Sequence, residues 1–221
     1  MKSRNWLSPL VLVLLTVSGC NPTQPPPTGG SSQSTSTSES PPKATVTPKE
    51  LAVAARDALQ KKLGVRLLEA MGTGGPPAAI EVCSREASRI ADRVGNECGV
   101  KIGRTSFKLR NLRNTPPEWA VPLIEQRPTE PQFVELADRH TGALFPILLK
   151  VQCLACHGPK DQIAEDVREQ LAKLYPDDHA IGFNDGDLRG WFWVEVPDQG
   201  GTGTSNGVNG SRGGAATREG K

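Results

Sequence analysis

Cys153, Cys156 and His157 stand in the run Cys-Leu-Ala-Cys-His, the most chemically specific stretch of the chain. Cys-x-x-Cys-His is the attachment pattern of c-type haem. The two thiols add across the haem vinyl groups as thioethers, and the imidazole that follows is then held close enough to ligate the iron. Cys-x-x-Cys alone also serves structural zinc and thioredoxin-like redox sites. A structural zinc takes four ligands, and no second Cys/His pair occurs in the sequence. A thioredoxin-like site does not require a histidine directly after the second cysteine. The motif therefore predicts one covalent haem c per chain, attached at Cys153 and Cys156 and ligated by His157.

The motif leaves the second iron ligand open. Small electron-carrying cytochromes usually take a methionine downstream, and none follows His157. Met71 is the only internal methionine, beside Gly72-Thr73-Gly74-Gly75-Pro76. His140 falls at an expected turn and reads as a solvated residue, whereas His179 is a contender. Of five cysteines, two belong to the motif and Cys20 to the N-terminal region, leaving Cys83 and Cys98. Two spare thiols in an oxidising compartment default to a disulfide. A helix from Cys83 to Val94 would separate its ends by about 16 Å. The remaining steps to Cys98 reach back at most about 14 Å, while a bridge needs Cα atoms within about 7 Å. The spacing argues against the bridge without excluding it, and leaves Cys98 as a loop thiol or, as the lesser alternative, the ligand itself.

Lys2 and Arg4, the mostly apolar run from Trp6 to Val17, and the small residues before Cys20 have the layout of a secretory signal over residues 1–19. Val17-Ser18-Gly19-Cys20 is similar to a bacterial lipobox, so Cys20 is expected to carry lipid and hold the protein at a membrane. Bacterial covalent haem attachment takes place outside the cytoplasm, so export and haem motif support each other. The expected location is the periplasmic side, and Asn21 after Cys20 leans toward the outer membrane. Residues 20–46, rich in Pro, Ser and Thr, read as a disordered tether, and residues 198–221 as a disordered Gly-rich tail. Residues 47–197 remain as one globular domain. A formal net charge of +2 gives no reason to invoke nucleic acid.

Within the domain, Thr47-Pro48-Lys49-Glu50 predicts a capped helix start, with Leu51, Ala55, Leu59 and Leu63 on one face. A second helix is expected from Pro77 to Val94, and a strand from Val100 to Leu109. A short helix should carry Trp119 and Leu123. Residues 132–138 and 143–151 predict a hairpin around 139–142. After the haem motif come a helix bearing Ile163, Val167, Leu171 and Leu174, a turn at 184–187, and a closing strand from Leu188 to Val196. Hairpin strands between helices argue for an α+β fold, a small antiparallel sheet flanked by helices.

Ala79-Ile80-Glu81-Val82-Cys83, Gly103-Arg104-Thr105-Ser106, Arg110-Asn111 with Asn114 and Pro116, Cys156-His157-Gly158, Tyr175-Pro176-Asp177-Asp178 and Gly186-Asp187-Leu188-Arg189-Gly190 occur in that order. Together they resemble the Tll0287-like haem domain, over most of the stretch from Leu51 to Val196. The resemblance implies a PAS-like fold, covalent haem, and iron held between histidine and a cysteine thiolate, with Cys83 opposite His157. Trp119-Ala120 departs from the Trp-Glu usual in that family. Arg104 and Arg110 match family positions and are candidates for pairing with the haem propionates, as is Lys108.

These readings describe an exported, membrane-anchored monohaem cytochrome with a separate, unidentified redox or signalling protein as partner. Sensing of redox state or a small gaseous ligand is one role; low-potential electron transfer is the alternative, since thiolate ligation lowers the potential. A haem enzyme such as a peroxidase would need an open iron and distal acid/base groups, and the sequence shows no such constellation.

Overall fold

The computed structural model of the chain describes residues 46–198. The expected leader, Cys20 and nearly all of the tether and tail lie outside the described residues. Helix α1 (Pro48–Arg85) begins at a complete capping box: the Glu50 N–H donates to Thr47 Oγ1 at 3.3 Å, and the Thr47 N–H donates to Glu50 Oε2 at 2.8 Å. Gly74 and Gly75 leave helical geometry, Gly75 at φ 67°, and Pro76 and Pro77 follow. At this kink the chain folds back. The return limb lies along the first, so that Arg66 forks onto Glu86 at 2.7 and 2.8 Å and Ala70 packs with Ala79 and Val82. The helix expected from Pro77 to Val94 is therefore divided. Its first part is the return limb, it breaks at Glu86, and it continues as α2 (Ala87–Cys98), closed by Gly99 in left-handed geometry. Cys98 is thus the last residue of a helix, not a loop residue.

Four strands follow, β1 (Lys101–Thr105), β2 (Gln132–Glu135), β3 (Thr141–Leu148) and β4 (Leu188–Val196), in the antiparallel order β1-β4-β3-β2. Alternation assigns the two faces. Phe192, Val194 and Val196, with Phe145 and Ile102, pack on Ala52, Ala55 and Leu59 of α1 and Val94 of α2. Trp191 and Leu144 point the other way, onto Ala120 and Ile124 of the short helical segment that ends in α3 (Val121–Glu125). Ala120, where the family usually has glutamate, is completely buried there; a carboxylate would have to leave that cluster. The Trp191 ring N–H is satisfied by the Pro128 carbonyl at 2.9 Å.

Two boundaries moved. The hairpin strands are 132–135 and 141–148, because the turn starts earlier than expected and takes Asp138 and Arg139 at positive φ. The first strand stops at Thr105 rather than Leu109. There Ser106 turns its hydroxyl onto the Arg189 carbonyl at 2.6 Å and accepts the Lys108 N–H at 3.0 Å, which replaces the ladder by a local cap. After the haem motif, which supplies the one-turn α4 (Leu154–His157), helix α5 (Glu165–Leu174) buries Val167 and Leu171 against Ile80 of the return limb. The whole is α+β, a small antiparallel sheet flanked by helices, in keeping with the PAS-like expectation.

Candidate functional site

The Cys-x-x-Cys-His run occupies a tight helical turn (151–153) continued by α4. Gly158 ends it: its N–H returns to the Leu154 carbonyl at 2.9 Å, and a Cβ there would lie 2.7 Å from that same oxygen, so no larger residue fits. The two thiols enter different apolar surroundings. Cys156 packs with Ile80, Ile163, Val167, Leu171 and Tyr175, whereas Cys153 packs with Leu149, Ala180 and Phe183 and accepts the Lys150 N–H at 3.5 Å. Both are free thiols. Burial pushes the Cys156 thiol pKa up, with Arg110 opposing. The motif's second cysteine is therefore held as an uncharged thiol.

Segment 178–183 splints the motif from the other side. Gly182 N–H donates to the Gly158 carbonyl at 2.8 Å and Phe183 N–H to the His157 carbonyl at 3.0 Å. His157 Nδ1 lies 2.7 Å from the Ala180 carbonyl and 3.3 Å from Arg189 Nε. Both cannot be hydrogen bonds, since Arg189 Nε only donates and the carbonyl only accepts. The shorter contact, to an obligate acceptor, decides the tautomer. Nδ1 carries the proton, and Nε2 keeps its lone pair for a metal. Burial, then the charges of Arg110 and Arg189, hold the imidazole pKa well below its ordinary value. A neutral ring with its proton on Nδ1 is the form that can ligate iron through Nε2.

The sequence candidates come together around this turn. Arg110 donates to Asp178 Oδ2 at 3.0 Å, to the Cys156 carbonyl at 2.5 Å and to the Ala180 carbonyl at 3.1 Å. Its Nε and Nη2 are thus committed to protein acceptors. Arg104 lies on β1 and, like Arg110, opposes charge on His157. Cys83 is a free, half-buried thiol on the return limb, one turn beyond Ile80. Its charge would bear on Cys156, Tyr175 and Arg189 alike. The bridge from Cys83 to Cys98 is not formed. Cys98 packs in the core between α2 and the sheet, apart from the cluster around Cys156. Of the other contenders, His179 is exposed, His140 lies 3.6 Å from Glu195 at the far end of the sheet, and Met71 lies on an exposed helix face. Lys108 places its ammonium over the Phe183 ring, 4.8 Å from the centroid.

Sequence reasoning missed Arg189, Asp178 and the Ala180 carbonyl. Arg189 and Asp178 lie inside segments that carry the family resemblance, but nothing in a strand-borne arginine or a Pro-Asp-Asp turn announces a contact with His157. Among the described residues no three His, Cys, Asp or Glu side chains gather as an independent metal site would require.

Fold and site together define a class, a small α+β domain organised around a Cys-x-x-Cys-His turn whose imidazole is held by Nδ1 on the Ala180 carbonyl. The chain belongs to the Tll0287-like family, whose model matches residues 33–197. Among solved structures, the crystal structure of the cyanobacterial heme-protein Tll0287 is similar to it, at 21% identity and a TM-score of 0.48, covering 69% of this chain and 97% of that one. No curated protein matches the chain in sequence.

Proposed function

We propose that this protein is an exported, lipid-anchored monohaem c-type cytochrome that senses redox state or a small gaseous ligand. The observation that carries the haem reading is the His157 geometry: Nδ1–H on the Ala180 carbonyl at 2.7 Å, directly after two free thiols one turn apart. Cys153 and Cys156 would hold the group covalently, His157 would ligate through Nε2, and Cys83 would approach as thiolate from the return limb. Arg104 remains a candidate for a propionate. When bound, a haem supplies a one-electron couple and an axial position that can exchange ligands. The protein's part is to keep the imidazole neutral, fix its tautomer and wall the thiols with Ile80, Val167, Leu171 and Phe183.

Membrane anchoring rests on the sequence around Cys20 and the expected lipid there, and a separate protein would receive the signal or electron. The alternative, low-potential electron transfer, is favoured by one feature: Val151 and Ala155 of the motif turn are exposed, which would leave a haem edge near solvent. The test is expression with a c-type haem maturation system and spectroscopy of the denatured chain. Haem should stay with the polypeptide and be lost in the Cys153→Ala, Cys156→Ala variant; haem retained by that variant would refute the reading. Reduction that admits CO or NO to the iron identifies a sensor, and reversible electron exchange without gas binding a carrier.

A further inference from the structure

Arginines 104, 110 and 189 all press positive charge toward His157, but their situations differ. Arg110 is neutralised by Asp178 in a buried ion pair. Arg189 forms no ion pair among the described residues. Its Nη1 donates to two neutral acceptors, Ser106 Oγ at 2.8 Å and the Lys108 carbonyl at 3.0 Å. Ser106 in turn accepts the Lys108 N–H and donates to the Arg189 carbonyl. The guanidinium is thereby fixed by a closed set of bonds, its Nε 3.3 Å from His157 Nδ1 and its Cζ 5.6 Å from the Phe183 ring centre. A guanidinium stays protonated in proteins at neutral pH, so the group beside the ring is a charge.

A half-buried charge with no carboxylate in direct contact among the described residues is costly. Bridging Ser106 and a carbonyl would need only a neutral amide, so the clamp does not account for the charge. The ring proton already points at Ala180, so the Arg189 contact is a charge lying beside the ring and not a bond into it. A positive charge there opposes electron donation by the imidazole and disfavours the more positive oxidation state of an iron at Nε2.

We propose that Arg189 is a positioning residue that tunes the metal centre, its guanidinium locked by Ser106 and Lys108 beside the His157 ring so as to raise the reduction potential. This rests on the haem reading above. It also opposes the potential-lowering effect of a thiolate on the other side, giving the chain two adjusters of opposite sign.

The test is optical redox titration of the haem-loaded full chain with Arg189→Gln and Arg189→Lys, alongside haem content and the ferric spectrum. Arg189→Gln should lower the potential by about tenfold in the one-electron equilibrium, ~59 mV. Arg189→Lys, which keeps the charge, should recover most of that shift. An unmoved potential in Arg189→Gln, or an equal fall in both variants, overturns the inference and leaves Arg189 a structural clamp. Should the glutamine variant fail to fold, Ser106→Ala loosens the guanidinium without removing it. It should lower the potential about twofold in the same equilibrium, and no change there overturns the inference equally. A wild-type chain without covalent haem overturns the functional reading and this inference with it. A haem-loaded chain whose potential ignores Arg189 overturns this inference alone.

Discussion

Arg110→Ala is the most direct probe of how the motif is held. Arg110 and Asp178 are only 10% and 11% exposed, so their ion pair is sheltered from solvent. Removing the guanidinium leaves the Asp178 carboxylate buried with the Ala180 N–H, at 2.8 Å, as its remaining partner. It also strips donors from the Cys156 and Ala180 carbonyls. Hydrogen bonds to a charged group contribute about 1.5–3 kcal/mol each, but they do not add, and breaking one side of a buried pair costs about 3–5 kcal/mol in total. At ~2–4 °C per kcal/mol for a domain of this size, the midpoint of thermal unfolding should fall by roughly 10 °C. Urea unfolding of the wild type, Arg110→Ala, Asp178→Ala and the double variant, all in one haem state, closes the cycle. The double variant should recover about 1–3 kcal/mol relative to the sum of the singles. A loss below about 1 kcal/mol for Arg110→Ala, or strict additivity in the cycle, would show that the pair is not what fastens the motif.

Cys83→Ala should leave covalent haem in place but abolish the low-spin thiolate spectrum of the ferric protein and raise its potential; an unchanged ferric spectrum would remove Cys83 as a ligand. Gly190→Ala should destabilise by about 2 kcal/mol or more, because Gly190 sits at φ 154° and a Cβ there would lie 2.3 Å from the Thr105 carbonyl. Equilibrium unfolding checks this, and a neutral result would mean the two strands separate freely at that point. Cys20→Ser should move the protein from the membrane to the soluble fraction, with membrane retention arguing for another anchor.

Much of the fold was legible because local chemistry and tertiary packing agreed. Thr47 and Glu50 make the capping box their spacing announces, and β4 runs from Leu188 to Val196 as its alternation implies. Boundaries failed where a side chain or backbone turn overrode periodicity. Ser106 ends β1 by taking the Arg189 carbonyl, and the apolar periodicity from Ile80 to Val94 runs unbroken across the break at Glu86. In the site, the residues bearing recognisable chemistry were readable, namely Cys153, Cys156 and His157. Arg189 was not, since its contact with His157 spans 32 positions and depends on how β4 meets the end of β1. Nor could any pattern reveal Ala180, which acts through its backbone carbonyl.

The splint along residues 178–183 has a kinetic consequence. His157 is held through its own carbonyl, through its ring, and through the carbonyl of Gly158, by Phe183, Ala180 and Gly182 in turn. With the ring tied to Ala180 and the backbone on either side pinned, His157 would leave a bound metal fully only when that segment opens, a sub-global event. The return limb of α1 carries Cys83 beyond a Gly-Gly-Pro-Pro kink, on a separate element. If the proposed haem is bound, lability would be one-sided: His157 would be the slow ligand, and exchange would fall to the side that the α1 hairpin approaches.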